Sequence, residues 1–214
     1  MTAPQATNPP LEREIKIPVA ELTSVRLALS GAGARLEHPA SLERNWVLDR
    51  SGPGPAAGAE LLASGQLLRL RQDGRGVRLT YKGPVRYEGG TGSVKVREER
   101  EVAVADAATI LGILVALGYR VARRYEKRRE EWLLAGCHVA LDDTPIGAFV
   151  EIEGETPERV ARGLGLDLAS AVRGSYLALW EEHRLMHPEA GADMVFGDEA
   201  FGDGPAPEGA VGGV

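Results

Sequence analysis

The sequence is short of what several common functions require. Its 214 residues hold a single cysteine, Cys137, which excludes an internal disulfide and a cysteine-based zinc site and agrees with a reducing compartment. No apolar run approaches the roughly eighteen residues of a membrane span, and "MTAPQATNPP" lacks the basic start and apolar stretch of a signal peptide. A cytoplasmic protein with no membrane partner is therefore expected. The histidines, His38, His138, His183 and His187, form no HxH or HExxH pair, and "DGRG" lacks P-loop or dinucleotide spacing. A basic surplus is missing as well. The net charge of −6 and pI near 5.4 argue against nucleic-acid binding.

The bases that are present gather in "LRLRQDGRGVRLTYK", "KVREER" and "RRYEKRR", each beside strand-like residues. With 43% hydrophobic residues the chain is long enough for one large domain, expected over residues 11–186. A flexible lead-in, 1–10, precedes it. A Gly/Pro/acid-rich tail, 187–214, follows and reads as disordered. Within the domain "EREIKI" predicts a strand. "VAELTSVRLALSGAGA" predicts an amphipathic helix with Val19, Leu22, Val25, Leu27 and Leu29 as its apolar positions.

"RNWVLD" reads as a short strand, followed by a Gly/Pro-rich loop from 51. "QLLRLRQ" and "VRLTYKG" flank the turn "DGRG" as a hairpin. "SVKVREEREVAV" is a strand. The apolar helix after it is capped by Asp106 and ended by Gly118. "RVARRYEKRREEWLL" is a long strand, "CHVALDDTPIGAFVEIEGE" two strands around a turn, and helices follow at 157–163 and 170–182. The sum is an α+β chain of about eight antiparallel strands with flanking helices, and a closed barrel removes the exposed edges of such a set.

At period two, charged residues share faces strand after strand. Glu12, Glu14 and Lys16 form one set, Arg69 and Arg71 a second, Lys82 with Thr80 a third, and Lys95, Arg97, Glu99 and Glu101 a fourth. Lys127 and Arg129, Asp142, and Glu151 with Glu153 complete them, while the alternate positions are mostly apolar. Periodicity alone leaves two barrels open, one with a solid apolar middle and one with a charged interior. Segregation of the signs by strand favours the second, because a merely soluble surface mixes them. So many inward charges are costly without partners, and a triphosphate with divalent metal ions supplies both signs.

The ordered set "EREIK", "LRLR", "LTYKGP", Arg97-x-Glu99-x-Glu101, "EKRREEW", "ALDDTPIGAFVEIEG" and "SYLALW" resembles the CYTH superfamily. These are the triphosphate tunnel metalloenzymes, which include class IV adenylate cyclases, thiamine triphosphatases and inorganic triphosphatases. The resemblance implies a tunnel of eight antiparallel strands. Glu12, Glu14, Asp142, Glu151 and Glu153 would hold Mg²⁺ or Mn²⁺. Lys16, Arg69, Arg71, Lys82, Arg97, Lys127 and Arg129 would hold the phosphates, and Glu12, Glu14 and Lys16 would be catalytic. Glu99 and Glu101 would either bind metal or pair with neighbouring bases.

Arg129 rather than Arg128 is expected inside, two residues after Lys127. The activity implied is hydrolysis of an inorganic or organic triphosphate. Cyclisation of ATP by a class IV-type adenylate cyclase, and a non-catalytic triphosphate- or polyphosphate-binding module, are the alternatives. The final helix lacks the lysine of some thiamine triphosphatases, with only Arg173, His183 or Arg184 near its place, which lowers that substrate. The resemblance also leaves a homodimer open.

Overall fold

Alternation of one apolar and one charged face carries through the strands of the barrel. A computed structural model of the protein describes residues 11–50, 60–88 and 94–197. The strands are β1 (Leu11–Val19), β2 (Arg35–Arg50), β3 (Leu67–Asp73), β4 (Gly76–Lys82), β5 (Arg86–Glu88), β6 (Val94–Val104), β7 (Tyr119–Leu134), β8 (Cys137–Thr144) and β9 (Gly147–Glu153). They run antiparallel in the order β1-β9-β8-β7-β2-β3-β4-β6, and pairing of β6 with β1 closes the ring at eight strands. The short β5 continues the β4 edge along β6 after a break at residues 83–85.

Four helices lie outside the ring: α1 (Leu22–Gly31), α2 (Ala107–Ala116), α3 (Pro157–Gly163) and α4 (Tyr176–Met186). The apolar faces of the strands point outward beneath them, so the barrel carries its core on its outer wall. Ile15, Ile17, Val139, Leu141, Val150 and Ile152 pack against Val25 and Leu29 of α1 and Val160 of α3. Trp46, Leu48 and Leu70 pack under Leu111 and Leu114 of α2. Each such side chain, fully buried, contributes about 1.5–3 kcal/mol. Asp106 caps α2 by accepting from the Thr109 amide at 2.7 Å, as its position predicts. Cys137 is a packing residue, 1% exposed. A Cβ on Gly154 (φ 150°) would lie 2.7 Å from its sulfur, which is why glycine stands there.

Several expectations need correction. β2 is no short strand starting at Arg44, since it begins at Arg35 and pairs with β7 almost throughout; register shifts between Leu36 and Ser41 absorb Pro39 and hide the alternation. Leu27, on the predicted apolar face of α1, is 71% exposed. The last helix does not start at 170. A 3-10 turn ends at Ser170, Gly174 (φ 114°) breaks the chain direction, and Ser175 caps α4 by accepting from the Ala178 amide.

The tail is not unpacked from His187 onward. Met194 is fully buried, its amide donates to the Arg124 carbonyl, and its carbonyl accepts from the Glu126 amide at 2.8 Å. It fills the edge of β7 that β8, ending at Thr144, leaves open. The lead-in 1–10, most of the Gly/Pro-rich loop (51–59) and residues 198–214 lie outside the described residues. Among the described residues no helix is long and apolar enough to cross a membrane.

Candidate functional site

Strand register brings the charged faces together inside the ring. Glu12 lies across from Arg97, Glu14 lies between Lys95 and Glu153, and Lys16 lies across from Glu151. Asp142 pairs with Arg129, Lys127 with Glu43, and Thr80 bridges Arg69 to Glu101. The cavity inside the ring, open to solvent on one side, is about 350 Å³. Its lining includes eight bases, Lys16, Arg69, Arg71, Lys82, Lys95, Arg97, Lys127 and Arg129, and seven acids, Glu12, Glu14, Glu99, Glu101, Glu131, Glu151 and Glu153. Arg128 points away, pairing with Asp143 on the outside.

Three zones differ in sign balance. In the first, carboxylate oxygens of Glu12, Glu99 and Glu153 lie within 4.8 Å of one another. Lys82 donates to Glu12 at 2.6 Å and lies 3.2 Å from Glu99, and Arg97 reaches Glu12 at 3.2 Å. Partial loss of hydration at a residue that stays exposed on the rim, then the neighbouring Glu12 and Glu99 carboxylates, push Glu153 up to about 7. Burial and Glu14 raise Glu12. These oxygens carry more negative charge than the nearby bases neutralise, and hard carboxylate donors at this spacing suit a divalent cation such as Mg²⁺ or Mn²⁺.

In the second zone the acids are already matched. Glu14 accepts from Lys95 in a very short contact. Burial pushes the Glu14 carboxyl up, but Lys95, then Lys16 and Lys82, outweigh it and hold it well below the usual range. Glu151 is held down the same way by Lys16, 3.1 Å away, and by Arg129. Glu101 pairs with Arg71 (3.3 Å) and accepts from Thr80 (2.8 Å). Arg69 donates to the Tyr125 hydroxyl at 3.0 Å. The Nε atoms of Arg69 and Arg71 are buried without a hydrogen-bond partner, that of Arg71 lying 3.9 Å from Asp73.

The third zone closes one end. Asp142, wholly buried, accepts from Arg129 through Nε (2.7 Å) and a terminal nitrogen (2.6 Å), from Lys127 (3.3 Å) and from the Tyr176 hydroxyl (2.7 Å). Burial and Asp142 raise the Tyr176 phenol well above its usual range, which keeps it protonated as a donor. Glu43 joins Lys127 (3.5 Å) and Arg71 (3.6 Å). Burial raises its carboxyl, but Lys127, Arg129, Arg69 and Arg71 outweigh that. Val47, Tyr125 and Phe149 from the strands, Tyr176 and Trp180 from α4, and Met194 form an apolar seal behind them.

The structure thus gathers the residues singled out in the sequence around one cavity, except Asp142, which is buried behind its lining, and divides them differently. Glu99 stands with Glu12 and Glu153. Glu14 and Glu151 stand with bases, and Asp142 stands in the closed end as the counter-charge of Arg129 and Lys127. Glu43 and Tyr125 were missed as site residues. Glu43 lies just before the point where "RNWVLD" begins, and Tyr125 is read there only as part of a long strand. Lys95 shares its face with Arg97 and was legible by period two. Tyr176 was missed as well, because the helix expected over 170–182 starts only at Tyr176.

An eight-stranded antiparallel ring with charges of both signs inside and its apolar core outside defines the class of fold, a charged tunnel. Within that class, the chain belongs to the CYTH domain family, whose profile matches residues 11–163, and this family is divalent-metal dependent. A candidate adenylate cyclase from Vibrio parahaemolyticus is similar over 81% of this chain and 99% of its own, with a TM-score of 0.67 and 20% identity. A protein from Pyrococcus horikoshii gives 0.62 at 23% identity, over 81% and 99%. A candidate adenylyl cyclase from Hippeastrum, described with a dominant triphosphatase activity, gives 0.57 at 17% identity, over 80% and 96%. At these identities they share the fold. No curated protein sequence matches the chain.

Proposed function

We propose that the protein is a divalent-metal-dependent phosphohydrolase acting on a triphosphate held along the tunnel. The observation that carries this reading is the division of the cavity: one zone gathers the carboxylates of Glu12, Glu99 and Glu153 in excess of the bases beside them, and the next is walled by arginine and lysine side chains that line the same space. A cation-bearing polyphosphate satisfies both at once, whereas either ligand alone satisfies one.

In this reading Lys16, Arg69, Arg71, Lys82, Arg97, Lys127 and Arg129, with Lys95, take the negative charge of the phosphate chain and hold it extended for in-line displacement. Glu12, Glu99 and Glu153 would hold Mg²⁺ or Mn²⁺, with Glu14 and Glu151 behind them, and a bound ion neutralises phosphate charge and favours ionisation of a coordinated water. Hydrolysis forms a bond from water oxygen to the terminal phosphorus and breaks its bridging P–O bond. The leaving oxygen departs into the field of the bases. Lys82 sits between Glu12 and Glu99, whose charges outweigh its burial and raise it, so it remains a cation facing the phosphates.

The test incubates the protein with Mg²⁺ or Mn²⁺ and, separately, inorganic triphosphate, ATP and thiamine triphosphate, resolving phosphate, pyrophosphate and cyclic AMP. Orthophosphate release is expected. Cyclic AMP with pyrophosphate would instead establish the cyclase activity suggested by the Vibrio and Hippeastrum neighbours, and binding without turnover would establish a sensor. Glu12→Gln combined with Glu14→Gln is expected to abolish turnover while circular dichroism shows the barrel retained; surviving turnover contradicts the metal role.

A further inference from the structure

The family profile ends at residue 163, yet the chain beyond it reaches into the tunnel at one point. Val172 donates its amide to the Lys16 carbonyl at 2.9 Å, and the Lys16 ammonium lies 3.4 Å from the Gly174 carbonyl. Two residues later Tyr176 opens α4, with Ser175 as its cap, so the phenol enters the cavity while the helix stays outside. The Lys16 ammonium stands 3.8 Å above the centroid of the Tyr176 ring, and that of Lys127 stands 5.1 Å away. Phe149 meets the same ring edge-on, with centroids 5.4 Å apart and planes at 77°. The hydroxyl donates to Asp142, the carboxylate that holds Lys127 and Arg129.

We infer that Tyr176 is a positioning residue for the phosphate-holding bases, its ring seating Lys16 and its hydroxyl fixing the Asp142 platform beneath Lys127 and Arg129. The inference rests on the triphosphate reading of the tunnel, because those bases are its phosphate ligands. Lys16 has four torsions and an ion-pair partner, Glu151, at 3.1 Å, with Glu14 also within its field. An ion pair alone lets the ammonium swing toward the acid. A ring face on another side, with a carbonyl beside it, leaves the ammonium one place to stand. The two halves of the phenol therefore act on different bases, and they can be separated by mutation.

Tyr176→Phe keeps the ring and removes the donor to Asp142, whereas Tyr176→Leu removes both. Measured by calorimetry as affinity for inorganic triphosphate, Leu is expected to bind about 3- to 30-fold more weakly than Phe, the range of a partly desolvated cation–π contact. In a Lys16→Met background that difference is expected to collapse to about the noise of the measurement, since the ring then has no ammonium to seat. Phenylalanines of increasing fluorination at position 176 keep shape and packing while draining the ring face. Their affinities are expected to fall stepwise, and this series stays readable should the leucine variant not fold.

Equal affinities for Phe and Leu, a difference that survives in Lys16→Met, or a flat fluorine series would overturn the role of Tyr176. Flat affinities with turnover intact leave hydrolysis standing and remove this inference. Stepwise affinities without turnover do the reverse. A wild-type protein that does not bind triphosphate overturns both.

Discussion

Asp142 lies wholly buried among Arg129, Lys127 and Tyr176, and its surroundings decide its role. A carboxylate whose oxygens are already filled by a bidentate guanidinium, an ammonium and a phenol has little capacity left for a metal ion. Removing its charge strands two buried bases, and breaking a buried pair in this way costs about 3–5 kcal/mol. Asp142→Asn is therefore expected to lower unfolding stability by about that much in urea, within the range for a disrupted buried network. Its Mn²⁺ affinity is expected to stay close to wild type. Glu153→Gln is expected to behave oppositely, with weakened Mn²⁺ binding and little lost stability. Loss of Mn²⁺ binding in Asp142→Asn with stability preserved would return Asp142 to the metal set.

Among the elements, the segment around Met194 is held by a buried side chain and two backbone bonds to β7, and those bonds complete an edge beside the end of β8. Truncating a buried methionine costs about 2–5 kcal/mol where the site cannot collapse. Because the segment is terminal to α4, the loss is expected to appear first as local opening. Met194→Ala should therefore accelerate hydrogen exchange at the Glu126 amide, which donates to Met194, while the amides pairing β8 with β9 stay protected. Uniform acceleration across the sheet would mean that the segment is part of the global core.

The same elements show what the sequence discloses. In β1, β3, β4 and β9 the charges that share a face are legible by period, the separation of signs by strand points that face inward, and the hairpin at "DGRG" is legible from its turn residues. β2 is not, because Pro39 and two register shifts break the alternation and leave Glu43 unassigned. The start of α4 is set by Gly174 and Ser175 rather than by apolar spacing. Met194 follows a Gly/Ala/Pro-rich stretch whose composition gives no sign of docking. Which acids would share an ion depends on the order in which strands close the ring, and no single strand contains that information.

In the molecule as a whole, placing the core outside and the charges inside makes stability depend on pH from both directions. Glu14, Glu43 and Glu151 are buried, but the bases beside them hold their carboxyls below the usual 4.5. Their stabilisation is present above the unfolded value and is lost as pH falls through the lower folded values. Glu12 and Glu153 run the other way. Glu153, raised from 4.5 to about 7 by lost hydration and by Glu12 and Glu99, favours the fold fully below 4.5 and loses that contribution as pH rises through 7.

Without divalent ions, the melting temperature is therefore expected to peak at about pH 5 and to decline toward about pH 8. An ion held by Glu12, Glu99 and Glu153 needs them ionised, so it binds the folded protein best where the bare protein is weakest and adds stability by mass action. Mg²⁺ or Mn²⁺ should lift the alkaline limb of the melting curve and leave the acid limb, set by Glu14, Glu43 and Glu151, where it was. Glu153→Gln should shrink both the alkaline decline and its rescue. An ion effect of equal size at acid and alkaline pH, or a melting temperature that keeps rising to pH 8 without metal, would show that the acidic zone does not carry the excess charge assigned to it.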